Sequence, residues 1–333
     1  MKKILNVLLV FVLVGCNPET GTDKFQSIRD KVIDVSGELK EIDTGEVLIG
    51  AYPRLQIGCG YLVVSDYKAY NKLIHFFKLE NLEHIVSVGD VGQGPNEITR
   101  IGHLELDEKR RKLYVSDHGK NKILSYDIDS LIACPESYEF LQKVKINKGL
   151  FPDSYCYVND TLSYARIIKP TSVSTFEQGI GIWNMVTGEV KMMPYSHPDI
   201  EMKRSLFDVS LDNNLYAEVY LRHDLMSICD LDGHLIYNIY GPDWNDGGRS
   251  DISCFGGVLI VGNYIMASYS GGDYEKEYSP KKILIFSLEG EYIKTLDLKE
   301  EIIDFCYDDI HNRIVLALDG EIQFAYLDLE GLI

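Results

Sequence analysis

The chain has few of the residue arrangements from which an enzyme is usually recognised. None of its seven cysteines forms a Cys-x-x-Cys pair, and its eight histidines show no spacing typical of metal ligands. No serine lies in a Gly-x-Ser-x-Gly turn, and no glycine-rich stretch ends in the Lys-Ser/Thr of a phosphate-binding loop. The sequence therefore contains no set of catalytic residues, and we expect a protein that is not an enzyme.

Positive charge is also scarce. Lys and Arg number 33 against 51 Asp and Glu, which gives a net charge of −18. Such a chain repels a phosphate backbone and offers no basic stripe along which one could run. We do not expect it to bind nucleic acid.

The first sixteen residues, MKKILNVLLVFVLVGC, place two lysines before an apolar run that is too short for a stable membrane-spanning helix. They indicate a secretory signal, and the ending LVGC resembles the lipobox of bacterial lipoproteins. This resemblance implies a signal peptide over residues 1–15, lipid attachment at Cys16, a flexible tether over 16–31, and a lipid-anchored protein of the bacterial cell envelope, periplasmic or on the outer-membrane surface. The alternative is an ordinary signal peptide or membrane anchor with an incidental Cys16.

The other six cysteines are scattered singly along the chain. An exported protein can oxidise them to disulfides, but Cys229 and Cys306 fall within strand patterns, where cysteine behaves as a small buried apolar residue. Free buried thiols are the favoured interpretation, and disulfides are the alternative.

A unit of about 50 residues recurs six times. One apolar anchor recurs 49 to 53 residues apart within strands that alternate apolar and polar residues. A second anchor follows each of them and ends in turn residues such as Asp-Gly and Glu-Gly, which supply positive φ angles. The first anchors are Leu62, Leu113, Leu162, Leu215, Ile265 and Ile314, and the second are Phe77, Tyr126, Trp183, Cys229, Phe286 and Leu327.

This period predicts an all-β fold, a six-bladed β-propeller with four-stranded antiparallel blades over residues 32–333. The last unit ends after its third strand, whereas residues 32–49 have strand character and belong to no complete unit. We expect this N-terminal segment to supply the missing outer strand and so to close the ring.

The motif GQGPNE at residues 92–97, the repeat period and the lipoprotein-like start together resemble the TolB-like six-bladed propeller lipoproteins of bacteria. Within the second unit, YVSDHGKNKILSYD is similar to NHL repeats, whose Asp and Asn shape a turn. Asp66 and Asp117 stand at that position in the first two units only. They are interpreted as acceptors for turn amides, with a ligand or metal role as the alternative.

The longest loops should all open on one end of the propeller, the top face, where binding sites of rigid scaffolds usually lie. They cover residues 88–97, 166–179, 195–204, 242–251 and 270–282. We expect this face to bind a protein, peptide or glycan partner. The candidate binding residues are Asn96, Glu97, Arg166, Arg222 and Tyr269.

Two alternatives remain open for this face. GQGPNE is either a tight turn or a loop whose Asn96 and Glu97 line the top of the channel. Six-bladed propellers also include calcium-dependent lactonases and esterases, so Asn96, Glu97, Asp66, Asp117 and Asp319 are a possible metal set by that resemblance. No cofactor is otherwise expected, because the calcium-like loop of residues 241–251 lacks a ligand at Gly247 and has Cys254 in place of the bidentate Glu.

Overall fold

A computed structural model of the protein describes residues 21–245 and 251–333; the predicted signal peptide, Cys16 and the first part of the predicted tether lie outside these residues. The described chain forms a six-bladed β-propeller. Each blade is a sheet that runs from an inner strand at the central channel to an outer strand at the rim.

Three short strands precede the blades: β1 (Asp23–Phe25), β2 (Val32–Asp34) and β3 (Lys40–Glu41). Blade one comprises β4 (Pro53–Gly58), β5 (Tyr61–Asp66), β6 (Lys72–Lys78) and β7 (His84–Asp90). Blade two comprises β8 (Ile101–Asp107), β9 (Lys112–Asp117), β10 (Lys122–Asp127) and β11 (Phe140–Lys145). Blade three comprises β12 (Phe151–Asn159), β13 (Leu162–Pro170), β14 (Phe176–Trp183) and β15 (Val190–Met192). Blade four comprises β16 (Ser205–Ser210), β17 (Leu215–Tyr220), β18 (Leu225–Asp230) and β19 (Leu235–Tyr240). Blade five comprises β20 (Ile252–Val261), β21 (Tyr264–Asp273), β22 (Lys282–Ser287) and β23 (Tyr292–Asp297). Blade six comprises β24 (Glu301–Asp308), β25 (Arg313–Asp319) and β26 (Phe324–Asp328).

The two anchor series occupy the second and third strand of each blade. In blades one, two, five and six the two anchors are direct cross-strand partners, for example Leu62 opposite Phe77 and Ile265 opposite Phe286. The members of the second series are all at most 1% exposed. Because these side chains are buried between blades, the sequence period of about 50 residues equals the spacing of equivalent core residues in successive blades.

The core is divided among the six interfaces between neighbouring blades. One apolar cluster joins blades one and two, including Phe76 and Leu113, and another joins blades two and three, including Ile123 and Trp183. The remaining four interfaces have clusters of the same kind, and the last one joins blade six to blade one through Phe324 and Phe77. Blade-to-blade burial of this kind is what a repeated half-buried sheet requires.

The N-terminal strap, residues 23–42, runs along the outer edges of three blades. β1 adds a fifth strand to blade four and β2 adds one to blade five, both in parallel pairing. β3 pairs antiparallel with β26 and completes blade six. The predicted ring closure is thus confirmed, but only Lys40–Glu41 of the predicted segment supplies the closing strand.

Some local expectations differ from the structure. β1 lies within the stretch that was expected to be a flexible tether. It forms a strand there because its backbone pairs with β19. A short helix, α1 (Ile128–Ala133), follows β10 where a tight hairpin was expected; the Asp127 side chain caps it by accepting from the Ser130 amide at 2.9 Å. At the corresponding turns of blades three to six, glycines have the expected positive φ, namely Gly188, Gly233, Gly290 and Gly331. Within residues 21–245 and 251–333 no helix has the length and apolar character needed to cross a bilayer.

Candidate functional site

A cavity of about 680 Å³ occupies the channel at the top end, where the inner strands begin and the second strands end. The inner strand of every blade contributes to its wall, so the cavity exists only in the closed ring. One lining residue from each of the six inner strands is Arg54, Glu105, Ser154, Asp208, Val258 and Asp304. We refer to it as the channel cavity.

The period-two alternation of the inner strands places polar groups in this cavity. In β4, the polar side chains of Arg54 and Gln56 line the cavity; Leu55 between them also borders it, but is only 6% exposed and belongs to the core between blades six and one. In β8, His103 and Glu105 repeat this alternation. A strand turns alternate side chains to opposite faces, so the same strand builds both the core and the channel wall.

The carboxylates of the cavity are engaged by the protein itself. Glu105 lies 3.1 Å from both His103 Nε2 and Gln56 Nε2, and Asp153 is paired with Arg166. Burial would raise the pKa of Asp153, but the Arg166 guanidinium outweighs it and lowers that pKa.

Asp208 and Asp304 each accept a hydrogen bond from the neighbouring blade. Asp208 accepts the amide of Ile260 in blade five at 2.7 Å, and Asp304 accepts the amide of Leu55 in blade one at 2.7 Å. Burial raises the pKa of Asp208 to about 6, and burial likewise raises the pKa of Asp304. Both side chains therefore stabilise the fold, since each bonds its own inner strand to the inner strand of the next blade.

Tyr67, Gly102 and His118 pack together at the border of blades one and two. The Tyr67 hydroxyl donates to the Gly102 carbonyl at 3.0 Å, and a Cβ on Gly102 would lie 2.1 Å from His118 Nε2. That nitrogen is buried and has no hydrogen-bond partner among the described residues. Burial lowers the pKa of His118, so the ring is uncharged near neutral pH.

The two cysteines of the cavity are poor nucleophiles. Cys156 and Cys306 line it, and burial raises the pKa of both thiols well above its usual range. Because the thiolate is the reactive form, these groups are inert at neutral pH. All six described cysteines are free, and Cys59, Cys229, Cys254 and Cys306 are buried; the preferred interpretation as buried free thiols is confirmed for these four.

The loop with Asn96 and Glu97 folds as a tight turn. A carboxylate oxygen of Glu97 accepts the Gly94 amide at 2.6 Å, and Lys120 Nζ donates to the carbonyls of Gly94 and Glu97, each at 2.6 Å. Asn96 is exposed. Neither Asn96 nor Glu97 is part of the wall of the channel cavity, and their role in binding stays a prediction.

The other three candidates lie in different surroundings. Arg166 lines the cavity, and Arg222 places its guanidinium 3.6 Å from the centre of the Tyr274 ring. Tyr269 is only 7% exposed rather than open to solvent, and its hydroxyl donates toward Asp224 and Asp243 at 3.2 and 3.0 Å. Residues 166–179, expected as a loop, are mostly the extended hairpin of β13 and β14, because their backbones continue to pair as far as Pro170 and Phe176.

Asp66 and Asp117 are turn acceptors, as preferred from the sequence. Asp66 accepts the amides of Gly50 and Lys68, and Asp117 accepts those of Thr99, Arg100 and Lys120, all within 3.2 Å. Among the described residues no three His, Cys, Asp or Glu side chains are grouped as metal ligands. The calcium-like loop falls partly on residues 246–250, outside the described part of the chain.

Most residues of the cavity wall were not predicted from the sequence, including Arg54, Tyr67, Arg100, His103, His118 and Asp153. One signal was available: polar residues alternate with apolar ones in the inner strands, as in His103-Leu104-Glu105. In a propeller such residues point into the channel.

Known proteins resemble this chain through its fold. A family model described as a 6-bladed beta-propeller, DUF5128, matches residues 41–165. The similarity is to a propeller family. No curated protein matches the sequence.

Solved structures agree over nearly the whole chain at low sequence identity. A member of the DUF4221 family from Bacteroides vulgatus superposes with a TM-score of 0.62 at 13% identity, covering 87% of this chain and 95% of its own. A protein described as exported, from Bacteroides fragilis, gives 0.54 at 11% identity, with 90% and 88% covered. Hydrazine synthase of Kuenenia stuttgartiensis gives 0.54 at 12% identity, with 87% and 82% covered. At such identities the likeness establishes the fold alone.

Proposed function

We propose that this protein is a lipid-anchored binding or scaffold module of the bacterial cell envelope, related to the TolB-like propeller lipoproteins, whose top face holds a protein, peptide or glycan. The observation that carries the binding role is the channel cavity, which is about 680 Å³ in volume. Ligand sites of proteins are commonly preformed concavities of this size with a few directed polar groups.

The anchoring part of the proposal is supported by the sequence LVGC. In the Cys16→Ser protein we expect no incorporation of a labelled fatty acid and release from the membrane fraction. Cys134→Ser serves as the control, because that cysteine is exposed in the described fold and removing it leaves the signal intact. Unchanged lipid labelling of the Cys16→Ser protein contradicts anchoring at this residue.

The binding part is tested by filling the channel cavity. Ser154 lines it, so Ser154→Trp should occupy much of its volume, whereas Asp212→Trp adds the same side chain to an exposed bottom turn. We expect envelope glycans and peptides that raise the melting temperature of the native protein to do so for Asp212→Trp but not for Ser154→Trp. Equal stabilisation of both variants would place the binding surface elsewhere.

No described residues favour the calcium-dependent hydrolase. The carboxylate oxygens of Asp66 and Asp117 accept hydrogen bonds from turn amides, and one carboxylate oxygen of Glu97 accepts from the Gly94 amide. A channel that binds without transforming its ligand fits these residues better.

A further inference from the structure

Several arginine side chains meet in the channel cavity. The protein has a net charge of −18, yet three guanidinium groups, those of Arg54, Arg100 and Arg166, line this one cavity. Four carboxylates, those of Glu105, Asp153, Asp208 and Asp304, line the cavity as well, so its guanidinium groups can bind an anion only where their donors are not used by these carboxylates.

The carboxylates of the cavity are bonded to other groups of the protein. Glu105 is bonded to two neighbouring side chains, and Asp153 is paired with Arg166. Asp208 and Asp304 each accept a backbone amide. The acceptors of the wall are thus largely committed to the protein.

The guanidinium N–H groups of Arg54 and Arg100 are mostly not used in bonds within the described protein. Within residues 21–245 and 251–333, no carboxylate oxygen lies within 4.0 Å of either guanidinium group. Arg54 gives one hydrogen bond, from Nη1 to the Ile303 carbonyl at 2.9 Å, and the Arg100 guanidinium gives none to the described protein. Both side chains are exposed to solvent at the top of the channel.

Two tyrosine rings border these arginines. Tyr52 is 46% exposed and Tyr67 is 40% exposed, and both line the cavity. The bond from the Tyr67 hydroxyl to Gly102 fixes that ring between blades one and two, the blades that supply Arg54 and Arg100. A half-exposed aromatic face is suited to packing against the flat apolar face of a ring.

An acceptor for hydroxyl groups is present as well. The bonds from Arg166 use Oδ2 of Asp153, so Oδ1 of this carboxylate remains available among the described contacts. Charged donors for an anion, an aromatic face for a ring and an acceptor for hydroxyls therefore occur in one cavity.

We propose that the channel cavity binds a sugar acid, a sugar ring that carries a carboxylate. Arg54 and Arg100 bind the carboxylate, the rings of Tyr52 and Tyr67 pack against the sugar, and Asp153 accepts from its hydroxyl groups. This inference rests on the proposed binding function and names its ligand class.

The test is calorimetric titration of the full chain, purified in detergent, with glucuronate and galacturonate. Their methyl esters are the matched probes, since they keep the ring and lose the charge. We expect each acid to bind at least about tenfold more tightly than its ester, because hydrogen bonds to a charged group are roughly twice as strong as neutral ones. Equal affinity of acid and ester overturns the proposal.

Variants assign the effect to the two arginines. Arg54→Gln and Arg100→Gln should each weaken binding of the acid by about 10- to 100-fold and leave binding of the ester nearly unchanged. Arg110→Gln is the control, because Arg110 is 53% exposed in a bottom turn and pairs with Asp160. Circular dichroism verifies that the variants fold. Loss of affinity in the control alone, or in none of the three, contradicts the assignment.

The remaining probes separate this inference from the proposed function. Tighter binding of sulfate or of an acetylated Ala-Ala carboxylate than of the sugar acids would overturn the sugar class. Binding of neutral sugars that Ser154→Trp abolishes would preserve the proposed function and refute the anionic ligand. If Ser154→Trp changes the binding of no probe, the channel cavity is not the binding site and both proposals fail.

Discussion

Arg29 and Asp224 form a buried ion pair that fastens the N-terminal strap to blade four. Arg29 Nη1 lies 2.8 Å from Asp224 Oδ1, and their side chains are 8% and 0% exposed. Asp224 also accepts from the Tyr269 hydroxyl and from the Asp243 amide, each at 3.2 Å. Burial raises the pKa of Asp224, and the Arg29 guanidinium opposes that shift. The pair therefore holds together the strap, a top loop and the second strand of blade five.

Removing Arg29 should be far more costly than removing a charge of the same strap that pairs with an exposed carboxylate. Arg29→Ala leaves Asp224 buried without its cation, and we expect the free energy of unfolding to fall by about 3–5 kcal/mol. Lys24→Ala is the matched control: Lys24 pairs with Glu291, which is 71% exposed, so a loss below about 1 kcal/mol is expected. Urea unfolding measures both, and equal losses would contradict the anchoring role of Arg29.

Gly102 provides the space in which His118 packs. In Gly102→Ala the new Cβ would meet His118 Nε2 at 2.1 Å and Cε1 at 2.4 Å, so the ring must move. We expect a loss of about 1–3 kcal/mol, the usual cost of overpacking. In the His118→Ala background the same substitution should cost clearly less. Gly37→Ala, whose Cβ meets nothing within 4 Å, should stay within about 0.5 kcal/mol of the native protein.

Asp208 should make stability depend on pH in a defined direction. Its folded pKa of about 6 lies above the ordinary value of 3.8, so the folded state binds more protons than the unfolded state between these values. The free energy of unfolding of the native protein should therefore fall relative to Asp208→Asn as pH rises from about 4 to about 6, and level off above. The full shift corresponds to at most about 3 kcal/mol, and channel water reduces it. A difference that grows in the opposite direction would show that Asp208 is stabilised as the carboxylate.

Thiol labelling distinguishes the six described cysteines by burial. In the Cys16→Ser protein, a water-soluble maleimide should modify Cys134 rapidly, because it is exposed. Cys59, Cys229, Cys254 and Cys306 should react only after unfolding, when all six are free to react. Fewer than six modified thiols in denaturant without reductant would reveal a disulfide.

The blade architecture could be predicted because propeller blades repeat a local pattern. Leu62 and Phe77 lie 15 residues apart in sequence and face each other across two adjacent strands, so their burial is encoded within one hairpin. The closing strand followed from a unit that lacks its fourth strand. α1 was missed because six residues with an Asp127 cap are too few to show a helical period.

The site depended on contacts that no single repeat contains. Arg54 and Arg100 belong to successive blades, and Asp208 and Asp304 contribute to the same cavity from the other side of the ring. Tyr269 appeared available in sequence but is buried beneath Asp224 and Asp243, because the strap and a top loop converge there. The sequence by itself determined the six blades and the strand pairing within each repeat, because period-two alternation and turn residues act over short distances. Only the tertiary structure decided which side chains meet in the channel, because closing the ring brings together inner strands that are about 50 residues apart in the chain.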